Sequence, residues 1–197
     1  MVISMAELVN LFVTYCISTL SYFGPVAGIL LILLESILPV LPLSVFITLN
    51  LMTYGDILGY LISLGSTILG CTLSFFLFRH LFQDKLYKLI LRKDYHLIKK
   101  WMESISNISF TNLVILLAMP FTPAFLVNIG AGLSKMGYKK YGLALIIGKA
   151  IMVYFWGYVG TSLLESLTDI LVILKIIGLL VLAYILSKLV EKKVHVG

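Results

Sequence analysis

Two side chains carry charge where charge is costly. Glu35 is the sole charged residue between Glu7 and Asp56, and Lys149 is the sole one between Lys140 and Glu165. An ionisable group inside a long apolar run is a functional hypothesis by default. A carboxylate withdrawn from water favours its neutral form, so Glu35 could load and release a proton. Lys149 stands about two turns into its apolar run, roughly 12 Å at the helical rise per residue. It could face a polar cavity, pair with Glu35 and hold an anion there, or it could extend its stem and place the ammonium at the membrane surface. Asp56 closes the first apolar stretch and could assist ion entry or simply cap a turn. Asn128 can both donate and accept. Arg79 ends an apolar run, where a cation suits a helix C-terminus and lipid phosphates alike, and Lys175 is expected to snorkel outward.

The prolines form a second pattern. Four of the five lie in two motifs, Pro39-Val-Leu-Pro42 and Pro120-Phe-Thr-Pro123, each in the middle of an apolar stretch. In a helix each proline frees the carbonyl four residues back, here those of Glu35, Leu38, Leu116 and Met119. A P-x-x-P ligand for an SH3-type partner would need polar surroundings that neither motif has. Asn50 and Asn128 follow the two motifs, then Gly55 and Gly137, then a full apolar run. Broken segments at matching positions of two halves are a sequence pointer to a binding site at an inverted-repeat interface.

The elements that must position these residues follow from composition. Of 197 residues, 60% are apolar and 12% are charged, and the mean hydropathy is +1.07. Soluble domains carry about twice that share of charge. A soluble enzyme, a secreted disulfide scaffold and a disordered chain are therefore excluded, and a polytopic all-α membrane protein remains. Cys16 and Cys71 sit inside apolar runs and read as small buried residues. His80, His96 and His195 are scattered, so no metal site is expected. No phosphate loop, nucleophile elbow or dinucleotide fingerprint occurs, so neither an enzyme nor a cofactor is expected. Met1 to Asn10 lacks Lys and Arg, so the first apolar run is expected to be retained rather than cleaved.

Charge also sets an expected topology. Seven of the fifteen Lys and Arg residues lie in 79–103. There Leu81, Leu86, Leu89, Ile90, Leu97, Trp101 and Ile105 recur at helical spacing. That predicts a basic amphipathic segment over 79–107 on the cytoplasmic surface, with Lys85, Lys88, Arg92 and Lys93 facing lipid headgroups. Lys135, Lys139 and Lys140, and then Lys188, Lys192 and Lys193, belong on the same side. Residues 108–134 must then leave and return to that side as a re-entrant hairpin, and 24–54 forms its opposed counterpart. Backbone of that kind needs protein or water around it. The expected fold is thus an inverted repeat in one membrane domain, 1–197, with two re-entrant hairpins (24–54 and 108–134). Four transmembrane helices complete it, at 8–23, 57–78, 141–163 and 170–187, and both termini are cytoplasmic. Gly55, Gly59, Ser63, Thr67 and Cys71, with Ser66, Gly70 and Ser74, form ladders of small residues that predict close helix packing.

At these motifs the chain resembles a known family. Glu35-Ser-Ile-Leu-Pro39-Val-Leu-Pro42 is similar to the acidic-proline hairpin of the DedA and VTT-domain superfamily, also called SNARE-associated Golgi proteins. Gly70 through Phe75 to Arg79 is similar to that family's G-x-x-x-x-F-x-x-x-R helix end. Pro120 to Pro123 followed by Asn128-Ile-Gly-Ala-Gly132 is similar to its second hairpin. The match spans about 24–165, and the compact chain is most like the small bacterial branch related to Tvp-type proteins. The resemblance implies a flippase or scramblase in the cell's inner membrane, moving a phospholipid or polyprenyl phosphate, with anionic lipids as partners and no nucleic acid. It implies site residues at Glu35, Pro39, Pro42, Pro120, Pro123 and Asn128, to which the charge pattern adds Asp56 and Lys149. Many relatives place an arginine at the second proline motif. Here Leu117, Ala118 and Met119 precede Pro120, which leaves Lys149 as the candidate to hold a phosphate. A homo-oligomer is compatible with this reading. A non-transporting scaffold acting through the basic segment and a small-solute or ion carrier are the alternatives.

Overall fold

The structure is a computed structural model that describes residues 5–37, 42–82, 104–122, 124–134, 136–165 and 170–196. The described residues are helical throughout, with short connections.

Helix α1, Met5–Phe23, ends at Gly24, whose φ of 69° lies in the left-handed region. A side chain would be strained there, so glycine sets the break. Pro25 then starts α2, Pro25–Ile37, with its fixed φ suited to a first helical turn. The two helices meet at 110°. Pro42 precedes α3, Leu43–Tyr54, and Gly55 follows it with φ 79°. Asp56 opens α4, Asp56–Leu77, where a carboxylate favours the positive end of the helix dipole. A π-helical turn, Phe78–Phe82, extends α4.

Ser109 caps α5, Phe110–Ala118, by accepting a hydrogen bond from the Asn112 amide at 3.2 Å. Pro120 has no N–H to offer the Leu116 carbonyl, and α5 stops two residues before it. Helix α6, Ala124–Leu133, returns along α5, as α3 does along α2. The expected hairpins, 24–54 and 108–134, therefore each hold two short helices, one on either side of a P-x-x-P motif. Two long helices complete the chain, α7, Tyr138–Glu165, and α8, Ile170–Val196.

Among the described residues three helices are long and apolar enough to cross a membrane: Asp56–Leu81, Tyr138–Leu164 and Ile170–Leu189. They match three of the expected spans. The fourth, 8–23, falls in α1, which reaches membrane length only when joined to α2 across the bend. Helix α8 runs nine residues beyond the expected end at 187, because Lys188 to Val196 contains no glycine or proline to stop it. Only 11% of its apolar window is covered by protein, which suits a helix surrounded by lipid. Of the amphipathic segment 79–107, residues 83–103 lie outside the described residues.

The chain divides into two compact units, Met1–Thr67 with Val153–Leu180, and Ile68–Met152 with Val181–Gly197. In the first unit α3 is the central element. A Cβ on Gly59 of α4 would lie 2.6 Å from the Leu51 Cα, and one on Gly157 of α7 would lie 2.8 Å from a Leu51 methyl. Small residues thus let two long helices close on the returning arm of the hairpin. Ser63, Ser66 and Thr67 are buried on the same α4 face, and the Tyr54 hydroxyl donates to the Leu20 carbonyl of α1 at 3.0 Å. In the second unit the core gathers Cys71 and Phe75 of α4, Leu113, Leu116 and Leu117 of α5, Val127 and Ala131 of α6, and Tyr141, Ala144 and Leu145 of α7.

A re-entrant second hairpin makes a topological prediction. Asn107 and Lys139 flank it and both are exposed. Single cysteines at these two positions, with Cys16 and Cys71 replaced by alanine, should react with an impermeant maleimide from the same side of the membrane. Reaction from opposite sides would make 108–134 a crossing.

Candidate functional site

The second unit is organised around Arg79. Its Nη1 donates to the carbonyls of Ala131, Gly132 and Ser134, and its Nη2 donates to the Met136 carbonyl at 2.9 Å. The Ala131, Gly132 and Ser134 carbonyls lie at the C-terminus of α6, the negative end of its dipole, and Met136 lies in the connection that follows. The guanidinium also lies 5.6 Å from the Phe75 ring centre and 5.0 Å from that of Tyr138. A Cβ on Gly132 would sit 2.7 Å from the Phe75 carbonyl oxygen, so α6 reaches this close to α4 only through glycine. Phe75 stacks on Tyr141 at 4.3 Å and 13°. The Tyr141 hydroxyl donates to Asn128 Oδ1 at 2.8 Å, with the Cys71 carbonyl at 3.3 Å beside it. The F-x-x-x-R helix end and the N-x-x-x-G arm of the hairpin are therefore one interlocked unit, and Arg79 is engaged by backbone.

The first unit has a parallel pair. Asn50 of α3 is 1% exposed and its Nδ2 donates to Ser63 Oγ of α4 at 3.1 Å. Asn50 and Ser63 are thirteen residues apart, as are Asn128 and Tyr141. Each asparagine thus ties the returning arm of a hairpin to the next long helix. Asn50 Oδ1 packs against Gly28 of α2, where any larger residue would collide with it. That oxygen, Ser36 Oγ and Thr53 Oγ1 are buried with no hydrogen-bond partner among the described residues. All three belong to the first hairpin.

The other expected site residues fall as follows. Glu35 is half-buried near the end of α2, one residue before Ser36. Pro42 stands at the start of α3 and Pro120 in the turn after α5. Asp56 is exposed in the first turn of α4 and lines a cavity of the first unit. Lys149 is 1% exposed in α7, and its ammonium has the Met152 sulfur at 3.5 Å as its polar contact. Beside it, Gly148 lets α7 approach α5, since a Cβ there would lie 2.7 Å from the Leu117 Cβ. Glu35 belongs to the first unit and Lys149 to the second. Pro39, Pro123, Lys85, Lys88, Arg92 and Lys93 lie outside the described residues. Among the described residues no group of three His, Cys, Asp or Glu is placed to hold a metal.

Membrane-length helices and hairpins broken at matching proline motifs define a polytopic α-helical membrane protein with an internal repeat. Comparison with known proteins specifies the class further. The VTT domain matches residues 41–162, and the chain belongs to the VTT-domain family. It is similar to the "Uncharacterized membrane protein YhjE" of Bacillus subtilis (strain 168), 34% identical over 175 residues, which are 88% of this chain and 83% of that one. It is also similar to the "Uncharacterized protein YqeD" of the same organism, 29% identical over 127 residues, 64% of this chain and 60% of that one. No solved structure matches significantly.

Two substitutions test the interlock. Arg79→Gln should lower the unfolding free energy by about 2 kcal/mol or more, because several carbonyls lose a charged donor. Tyr141→Phe should cost on the order of 1–3 kcal/mol by leaving Asn128 Oδ1 buried without its donor. Unfolding in detergent micelles, followed by circular dichroism, measures both. Unchanged midpoints would show that the contacts are dispensable.

Proposed function

We propose that this VTT-domain protein moves a phosphate-bearing lipid across the cell's inner membrane. The headgroup passes along a polar interior formed by the hairpins while the acyl or prenyl tails stay in lipid. Lys149 carries the proposal. A lysine that is 1% exposed and has, among the described residues, a thioether as its polar contact is withdrawn from water with no acidic side chain of those residues beside it. Breaking or omitting one partner of a buried pair costs about 3–5 kcal/mol. An anionic headgroup arriving at the ammonium offsets that cost, and the offset is binding energy. Lys149 therefore takes the role that relatives give to an arginine at the second proline motif.

Glu35 supplies the second ionisable group. Its neighbourhood supports a polar interior, since Ser36 Oγ, Asn50 Oδ1 and Thr53 Oγ1 of the same hairpin are buried without partners. Uptake of a proton by Glu35 as an anionic headgroup enters, and its release as the headgroup leaves, would couple lipid movement to protons. Cytoplasmic termini and contact with anionic lipids through the basic segment 79–107 belong to the same proposal. A second copy of the chain is a compatible partner.

Reconstitution in liposomes with a panel of labelled lipids tests this. The wild-type chain should move a phosphate-bearing lipid well above empty vesicles, Lys149→Met should reduce the rate at least tenfold, and Lys149→Arg should restore most of it. Equal rates for wild type, Lys149→Met and empty vesicles would sink the proposal. Solute flux without lipid movement would select a small-solute carrier. Loss of cellular function only on neutralising Lys85, Lys88, Arg92 and Lys93 would select a scaffold.

A further inference from the structure

The first unit holds a cavity of about 450 Å³ between the start of α4 and the last turns of α7. It is lined by Leu51, Asp56, Tyr60, Tyr154, Tyr158 and Thr161, with Ile57 and Leu61 at its edge. Asp56 and Tyr60 are four residues apart on α4, and Tyr154, Tyr158 and Thr161 are spaced by four and three on α7. Both sets therefore share a helix face. The lining contains one formal charge, a carboxylate, and three phenol rings. Among the described residues the lining contains no lysine, arginine or histidine.

That chemistry selects a ligand class. An anion would meet a carboxylate and no cation. A hard metal ion needs about six oxygens, several of them charged, and one carboxylate with hydroxyls falls short. A purely apolar chain would leave Asp56 without purpose and could bind any lipid-facing groove. An ammonium group on carbon satisfies every wall. Its charge pairs with Asp56, and its methyl or methylene shell lies against ring faces whose quadrupole attracts cations. The volume is in the range of small-molecule sites.

We propose that this cavity binds an organic ammonium group, with Asp56 as the counter-charge and Tyr60, Tyr154 and Tyr158 as an aromatic cage. The group can come from two sources, a free alkylammonium ion or the amine head of a membrane lipid. The site is independent of lipid translocation through Lys149, because its lining residues all belong to the first unit. Three tyrosines on neighbouring spans could instead form part of an interfacial aromatic belt. A belt needs no carboxylate among its rings and shows no saturable selectivity for ammonium.

Binding to the full-length chain in phosphatidylglycerol nanodiscs separates the two. Radiolabelled choline and tetramethylammonium are the soluble probes, and nanodiscs doped with phosphatidylethanolamine are the lipid arm. Saturable binding of a soluble probe identifies a free ion as the source. Retention of phosphatidylethanolamine without soluble binding identifies the lipid. Either result supports the site if Asp56→Asn weakens it about tenfold and Tyr158→Leu about threefold or more, while Tyr158→Phe, which keeps the ring face, binds as wild type. Tyr154 and Tyr158 are 68% and 55% exposed, so their substitution leaves the core intact and decides the matter even if Asp56→Asn fails to fold. No saturable binding in either arm, or binding indifferent to Tyr158→Leu, overturns the proposal. Lipid movement that depends on Lys149 would survive that result.

Discussion

A helix interrupted at membrane depth must find partners for its terminal backbone groups within the protein, because the bilayer core offers none. Two interruptions at P-x-x-P motifs raise that requirement twice, and much of the remaining architecture answers it. In the second unit the answer is Arg79, whose guanidinium fans over the Ala131, Gly132 and Ser134 carbonyls at the end of α6 and the Met136 carbonyl just beyond it. A lysine is a point donor and could not span four acceptors from one position, whereas the planar fork can. Once Arg79 is fixed there, Phe75 must lie beneath it, Gly132 must be small and Tyr141 must stack on Phe75. A single electrostatic need thus accounts for residues that are far apart in sequence.

The two units meet the same geometric need with different chemistry. Each ties the returning arm of its hairpin to the next long helix by an asparagine bonded thirteen residues ahead. In the second unit the partner is a tyrosine inside an aromatic stack, and the surroundings are apolar. In the first unit the partner is Ser63 within a ladder of small residues, and α3 is held by close backbone approach rather than by rings. Close approach leaves less room for compensating donors, and the buried oxygens of Ser36, Asn50 and Thr53 without partners are its consequence. Buried polar groups of that kind cost stability. Their clustering in the hairpin that also carries Glu35 is what a polar conduit would require and what mere packing would avoid.

Much of this was legible in the sequence for a physical reason. Proline removes a donor wherever it occurs, so the two breaks could be read directly, and charge parity then made 108–134 return to its own side. Small residues four apart marked the buried face of α4 without any knowledge of its neighbours. The partners of Arg79 were not legible, because they are backbone carbonyls and carry no sequence signal. Neither was the Asn128 to Tyr141 bond, since tyrosines are frequent in membrane helices and nothing in their spacing singles out Tyr141. The cavity beside Asp56 was missed for a related reason. It is assembled from two helices nearly a hundred residues apart, and each half alone reads as an interfacial turn or an aromatic belt.

The treatment of cations in the second unit bears most directly on function. Arg79 is surrounded by carbonyl oxygens and its positive charge completes a helix end. Lys140 donates to the Ile108 carbonyl, which ties α7 to the segment entering α5. Lys149 differs from both. It is the most buried of the three, yet among the described residues its polar contact is neither a carbonyl nor a carboxylate but a thioether. If burial alone governed this position, leucine or methionine would fill it at lower cost, since a buried charge is expensive and a buried methylene is favourable. The chain therefore carries a cost at Lys149 that folding does not require. Under the proposed translocation that cost is offset when the ammonium acquires an anion, and the neighbouring cations, already satisfied by backbone, are not free to supply that step.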